Sequence, residues 1–266
     1  MTASVARSSG YIIKRLRHLG LDEAVAAQVA RDIRVQSFDA GQTIWTKGSM
    51  VQSWHFIIHG LVSAAIPTAN SDATPISIYG DGAWFGEQTI INRKPSYAAY
   101  MCLVPTEVMG MPAERFDQLF LEDAEFARFV AKLVAWRVQK TSETLMLMKL
   151  GNPCLRVVMG LAQFAEALSY RSERPPTIGV ADALEIPIPQ GTLASLCGVS
   201  RTLFSEYAQA LATDKWLKLS YGKLEVLSAH AWHSFAQRQR ARDTGNMDPA
   251  LSELLQELKD CDFTRP

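Results

Sequence analysis

The spacing of apolar positions changes character along the chain and marks out its parts. Between residues 11 and 33, Ile12, Ile13, Leu16 and Leu19, then Val25, Val29 and Ile33, recur at steps of three and four, which places them on one face of a helix. Gly20 ends the first of two short helices and Asp22 caps the second, because its carboxylate accepts from a first-turn N–H. From Phe38 to Met111 the period shortens. Runs at Thr43–Trp45, Trp54–Ile58, Leu61–Ile66, Ile76–Tyr79, Tyr97–Leu103 and Glu107–Met109 are divided by Gly41, Gly48, Gly60, Gly80, Gly82 and Gly86. Short glycine-punctuated strands predict a sandwich, jelly roll or small barrel. Inside it, Phe85-Gly86-Glu87 leads into Gln88-Thr89-Ile90-Ile91, a helical turn whose first N–H groups suit an anion.

Residues 113–149 contain neither glycine nor proline, which predicts one long helix. Phe126, Phe129, Leu133, Trp136, Lys140, Glu143 and Leu147 step along it by three and four, the pattern of a two-helix seam. A helix this long exceeds what one small β domain can cover, so the stripe implies a partner chain; packing within its own chain is the alternative. Gly151-Asn152-Pro153 stops the helix, since the residue before proline is pushed out of the helical region. Leu155 to Leu168 predicts an amphipathic helix and Arg171–Pro176 a polar connection. Ile178, Val180, Leu184, Ile186 and Ile188 read as small strands.

Pro189, Gln190 and Gly191 then open a short helix with Leu193, Ala194 and Leu196. Gly198 and Val199 form a tight break, and Ser200 caps a second helix whose Leu203, Phe204, Tyr207 and Leu211 make one apolar face. Two helices so joined are a helix-turn-helix. Arg201, Thr202, Ser205 and Glu206 point outward from its first turns, where a recognition helix meets base edges. A plain helical hairpin would look alike up to this point. Trp216–Leu219 and Lys223–Leu227, flanking Ser220-Tyr221-Gly222, add a β-hairpin and make the whole a winged helix. At the end, Asp248-Pro249 offers a cap for a helix carrying Leu251, Leu254, Leu255 and Leu258, expected to pack on its own domain, with a partner or the other subunit as the alternative.

Bulk numbers narrow the function. An apolar share of 48% and a charged share of 20% fit an ordinary soluble globular protein, and zero net charge means that any DNA contact rests on a local patch. Cys102, Cys154, Cys197 and Cys261 lie far apart without a Cys-x-x-Cys pair, so neither a zinc ribbon nor an iron–sulfur cradle is signalled. No run of about 18 apolar residues occurs, and a cytoplasmic protein without a membrane partner is expected. A jelly-roll metal enzyme would need a His-x-His pair with a later Glu and His; His55 and His59 do not supply it, so no catalytic residues and no metal are expected.

In chain order these parts resemble the superfamily of the cyclic-AMP receptor protein and the fumarate–nitrate reduction regulator (Crp–Fnr), from about Leu16 to Trp232. The motifs are Gly41-x-x-Ile44-Trp45-x-x-Gly48, Phe56-Ile57-Ile58-x-Gly60-x-Val62, Gly82-Ala83-Trp84-Phe85-Gly86-Glu87, and Leu193-Ala194 with Gly198-x-Ser200-Arg201. The resemblance implies an α+β bacterial regulator: an N-terminal β jelly roll of the cyclic-nucleotide-binding type over 1–112, a dimerisation helix over 113–150, a winged helix-turn-helix domain over 151–240, and an acidic tail over 241–266. It implies a homodimer on a palindromic promoter site of double-stranded DNA, with RNA polymerase as a further partner. DNA contacts fall to Gln190, Ser200, Arg201, Thr202, Ser205 and Glu206, with Arg201 in the place of the family's guanine-reading arginine. The dimer interface falls to Phe126, Phe129, Leu133, Trp136, Lys140 and Leu147.

An effector site would comprise Phe85, Gly86, Glu87, Gln88, Ser96 and Tyr97. Glu87 matches the glutamate that takes the ribose hydroxyl in the cyclic-nucleotide branch. Ser96 and Tyr97, however, stand where that branch has the Arg-Ser pair that clamps the cyclic phosphate, and Arg93 or Lys94 are the nearby substitutes. Weak or absent cyclic-AMP binding follows, with another small molecule or no effector as the alternatives and no cofactor expected. The chain also lacks the family's N-terminal cysteine cluster, and His18, His55 and His59 make poor haem ligands. Thr202 and Glu206 replace the family's usual Glu and second Arg, which implies an altered target sequence. A sensory module whose helix-turn-helix binds protein rather than DNA is the competing reading.

Overall fold

The computed structural model describes residues 9–68, 71–169, 183–241 and 246–262, and the chain divides into two compact units, Met1–Thr141 and Ser142–Pro266. In the first, helices α1 (Ser9–Arg17) and α2 (Glu23–Ala30) bury Ile12, Leu16, Ala26 and Val29. Asp22 caps α2 as expected, accepting from Val25 N at 2.8 Å. Strands β1 (Arg34–Phe38), β2 (Thr43–Trp45), β3 (Ser53–His59), β4 (Val62–Thr68), β5 (Ser71–Tyr79), β6 (Trp84–Phe85), β7 (Ala99–Cys102) and β8 (Thr106–Pro112) form two antiparallel four-stranded sheets, ordered β1-β8-β3-β6 and β2-β7-β4-β5. β1, with its weak apolar signal, was not among the expected strands. The helical turn after β6 is α3 (Glu87–Asn92).

β3 shows why the roll is a closed structure. Successive side chains on a strand point to opposite faces, and Trp54, His55, Phe56 and Ile57 are all buried, so both faces are covered. His55 faces Trp45 and Phe85 between the sheets, at ring distances of 5.3 and 5.5 Å. Trp54 faces the other way, against Trp84 at 4.0 Å and the edges of Phe116 and Phe126.

The single helix expected over 113–149 is two helices, α4 (Ala113–Glu122) and α5 (Ala124–Leu150). Asp123 breaks it: its backbone is extended, and its Oδ1 accepts from Glu125 N at 3.0 Å and Phe126 N at 2.9 Å. An aspartate that satisfies first-turn N–H groups starts a helix instead of continuing one.

The stripe read as a subunit seam is also corrected. Phe126 is fully buried in the roll's own core, edge-on to Trp54 and Phe116 at 5.7 and 5.4 Å, and Phe129 and Leu133 pack partly against the same core. Leu147 is buried inside the second unit, while Lys140 and Glu143 are half-buried. Of the expected seam only Trp136 is largely exposed, at 55%. Among the apolar positions that α5 leaves open, Ala131, Ala135, Val138 and Leu145 form a stripe with Trp136 and Met146 beside it, and Leu150 is exposed at the helix end. Both stripes step by three and four; only packing tells which one faces the chain's own core.

The second unit begins inside α5, ahead of the boundary expected at Gly151, because the winged helix-turn-helix holds the helix's last turns. Glu143 pairs with Arg240 at 3.5 Å, and a Cβ on Gly198 would lie 2.6 Å from Met148 Sδ. There follow α6 (Pro153–Ser169), β9 (Leu184–Ile186), α7 (Gln190–Leu196), α8 (Arg201–Thr213), β10 (Leu217–Ser220), β11 (Lys223–Val226), α9 (Ala229–Ala241) and α10 (Leu251–Cys261). The strands form one antiparallel sheet, β10-β11-β9. Arg171–Pro176, Ile178 and Val180 lie outside the described residues. Val157, Leu161, Phe204, Leu211, Trp216, Trp232 and Phe235 make the core. α10 buries Leu254, Leu258 and Cys261 against its own unit, but Asp248-Pro249 does not cap it; Ala250 holds that position. Among the described residues no helix is long and apolar enough to cross a membrane.

Phe126→Ala should therefore cost about 3–5 kcal/mol of folding free energy in the β-roll, read by denaturant titration of the near-ultraviolet circular dichroism. A core role makes that loss independent of protein concentration; an interface role would not.

Candidate nucleic-acid interface and effector site

The turn between α7 and α8 is fixed by close approach. Gly198 has φ 63°, a conformation that glycine adopts without strain, and its carbonyl accepts from Arg156 Nη1 at 3.0 Å. At Gly160 on α6 a Cβ would stand 2.4 Å from Cys197 Sγ, so glycine lets α6 touch the end of α7. Ser200 begins α8 with extended backbone, and its Oγ accepts from Leu203 N at 3.2 Å. Ser200 is thus a capping residue whose hydroxyl is already engaged.

Phe204, Ala208 and Leu211 turn inward, while Leu203 and Tyr207, expected on the same face, are half-buried. Arg201, Thr202, Ser205 and Glu206 are exposed and continue into Gln209 on the next turn. Gln190 is half-buried at the start of α7, and a Cβ on Gly191 would reach Arg201 Cδ at 4.0 Å, which places the first turn of α7 beside Arg201. Among the described residues Arg201 and Glu206 form no ion pair. The wing's Lys218 and Lys223 pair with Glu225 at 3.4 Å and Glu185 at 2.5 Å. Tyr221 at the wing tip is fully exposed.

In the β-roll, Phe85, Gly86, Glu87 and Ser96 of the residues expected around an effector are buried, while Gln88 and Tyr97 are exposed. Phe85 is fully buried, nearly parallel to Tyr100 at 5.4 Å and stacked on Tyr79 and Trp45. Gly86 and Glu87 are buried and Gln88 is exposed. Glu87 Oε2 accepts from Trp54 Nε1 at 3.1 Å. Its Oε1 lies 3.1 Å from Arg137 Nε, whose N–H is not aligned on it, so that contact is an ion pair rather than a hydrogen bond. Arg137, on α5, also donates to the Tyr79 hydroxyl at 3.2 Å and to the Trp84 carbonyl, and its guanidinium lies 5.1 Å from the Tyr79 ring centre. Tyr97 and Tyr79 each hydrogen-bond Tyr100, and burial pushes the phenols of Tyr97 and Tyr100 above their ordinary range.

The hydroxyl of Ser96 is already engaged. Its buried Oγ accepts from Trp45 Nε1 at 3.0 Å and donates to the Ala98 carbonyl at 2.7 Å. Arg93 and Lys94 are exposed, and Arg93 pairs with Asp117 at 3.5 Å. Sequence reasoning did not single out Arg137, although it follows Phe126, Val130 and Leu133 on the core-facing side of α5, where an arginine signals a buried carboxylate partner. No cluster of three or more His, Cys, Asp or Glu able to hold a metal occurs among the described residues. The four cysteines are buried thiols, and burial raises Cys154 to about 11 and Cys197 to about 12.

Comparison with known proteins bears on both sites. The cyclic nucleotide-binding domain family matches residues 35–123. Over 209 residues the chain is 20% identical to the CRP-like cAMP-activated global transcriptional regulator of Mycobacterium tuberculosis, covering 79% of this chain and 90% of that one. It is 22% identical over 192 residues to the cyclic AMP receptor protein of Thermus thermophilus, covering 72% and 83%. The structure of FixK2 from Bradyrhizobium japonicum superimposes with a TM-score of 0.62 at 17% identity, covering 82% and 98%; at that identity the likeness establishes the fold.

His55 generates a pH prediction. It is 6% exposed, its Nδ1 has no hydrogen-bond partner, and burial lowers its pKa from 6.5 to about 4, with a Ser53 backbone hydrogen bond offsetting only part of the shift. The unfolded chain takes up this proton first, so stability falls as pH drops from 6.5 towards 4 and the loss is complete below that. Its total is roughly 3 kcal/mol. Denaturant titrations at stepped pH should show this slope, and His55→Phe should remove it.

Proposed function

We propose that the chain is a transcription regulator of the Crp–Fnr family, a homodimer that reads a palindromic promoter site through α8 without needing cyclic AMP; the match to the cyclic nucleotide-binding domain family and the likeness to the two CRP-type regulators support the reading. The observation that carries this is Arg201. It stands exposed on the first turn of a helix whose start is fixed by Ser200 and whose other face is locked into the core, as a recognition helix requires. Its guanidinium can donate two parallel hydrogen bonds to guanine O6 and N7. Thr202, Ser205 and Glu206 share that face, and Glu206 suits a cytosine N4 donor. Two copies must lie about 34–36 Å apart to enter successive turns of one groove. The open stripe on α5, Ala131, Ala135, Val138 and Leu145 with Trp136 and Met146, has the spacing of a two-helix seam and is assigned to the partner subunit.

Independence from cyclic AMP rests on the β-roll. Glu87 is paired with Arg137, Ser96 is bonded to Trp45 and Ala98, and the rings of Phe85, Tyr100, Tyr79 and Trp45 stack on one another. A cyclic phosphate would lack the guanidinium partner worth about 1.5–3 kcal/mol per hydrogen bond.

The test is sequencing of the genomic fragments that the purified full-length protein retains, with and without cyclic AMP. A single two-fold symmetric motif is expected under both conditions. Arg201→Ala should weaken binding by about 1–3 kcal/mol and relax one position of each half-site; an unchanged profile for that variant, or fragments with no dyad, overturns the reading. Val138→Glu with Leu145→Glu should convert the dimer to monomer in sedimentation velocity at micromolar concentration, and a dimer that survives both changes places the interface elsewhere.

A further inference from the structure

The junction Gly151-Asn152-Pro153 does more than stop a helix. Asn152 Oδ1 accepts from Leu155 N at 2.8 Å, the ordinary duty of a helix cap. The rest of the residue is used differently: Nδ2 donates to Asp248 Oδ1 at 2.8 Å and to the Pro249 carbonyl at 2.9 Å, and its backbone N–H donates to the Met247 carbonyl at 2.8 Å. Asn152 therefore ties the start of α6 to the segment that leads into the C-terminal helix.

From that tie the segment runs to the far end of the recognition helix. α10 packs on α9 and α6 through Leu254, Leu258 and Cys261. Lys259 Nζ lies 3.6 Å from Asp214, the residue at the C-terminal end of α8. Beyond it, buried Asp262 meets His230 Nε2 at 3.1 Å. Apolar burial is non-directional; the directional contacts of the segment are those of Asn152 at its start and, along α10 and its end, Glu257 with Gln239, Lys259 with Asp214 and Asp262 with His230.

We propose that Asn152 is a positioning residue for DNA binding, fastening the C-terminal segment 246–262 to the α5–α6 junction so that the segment braces α8 against that junction. The inference rests on α8 being the DNA-reading element of a dimer. α5 carries the proposed partner contact and α8 the base contacts, so the angle between them sets the separation of the two recognition helices. A braced angle accepts one half-site spacing; a loosened one accepts several. Binding of one half-site by one α8 does not depend on the brace.

Asn152→Asp separates the two duties. The new carboxylate still caps α6, but it cannot donate to Asp248 and sets two negative charges together. The full-length variant should bind a single half-site as tightly as wild type, bind the selected palindrome about tenfold more weakly, and lose its preference between that palindrome and versions lengthened or shortened by one base pair. Adding Asp248→Asn restores a donor facing the introduced carboxylate and should recover the preference. If Asn152→Asp does not fold, Asp248→Ala, which leaves the cap intact, takes its place in the same assay. Unchanged spacing preference overturns the inference, as does an equal loss on half-site and palindrome, which marks a merely structural role. A wild type that selects no palindrome defeats the DNA-binding reading itself.

Discussion

A helix of 27 residues presents more surface than one small β-roll can cover, and the molecule depends on how α5 divides that surface. Its first turns give Phe126 and Val130 to the roll's core, where Phe126 meets Trp54 and Phe116. Its last turns give Glu143 and Leu147 to the second unit. Between these faces lies the apolar stripe through Val138 and Leu145. Because a side chain faces only one way, each assignment excludes the others.

The second constraint is that buried polar groups must find partners. Removing one member of a buried ion pair strands the other at about 3–5 kcal/mol. In the roll the demand is met from within. Arg137 answers Glu87, Trp54 adds a donor, and Ser96 is shared between Trp45 and Ala98. Glu87 and Ser96 are thus bonded within the fold itself. The Arg137–Glu87 pair links α5 to the β-roll.

Side-chain caps set the boundaries of the elements. Asp22 and Ser200 were legible as caps because each precedes an apolar periodic run. Asp123 was not, because a long stretch without glycine or proline hides a break that one carboxylate imposes by accepting from two backbone N–H groups. Asn152 was legible as a break but not as a tie, since its partners lie far along the chain, at Met247 to Pro249. Arg137 was missed for the same reason: its partner Glu87 is remote in sequence.

The sequence by itself determined most of the order of elements, apart from β1 and the break at Asp123, together with the helix-turn-helix with its wing and the outward position of Arg201, because these follow from local periodicity and capping. Tertiary structure alone decided which of two equally periodic stripes on α5 faces the core, what neutralises Glu87, and where the C-terminal helix is fastened. The physical reason is range: hydrogen bonds and periodicity within an element are set by neighbours in the chain, whereas burial and ion pairing are set by neighbours in space.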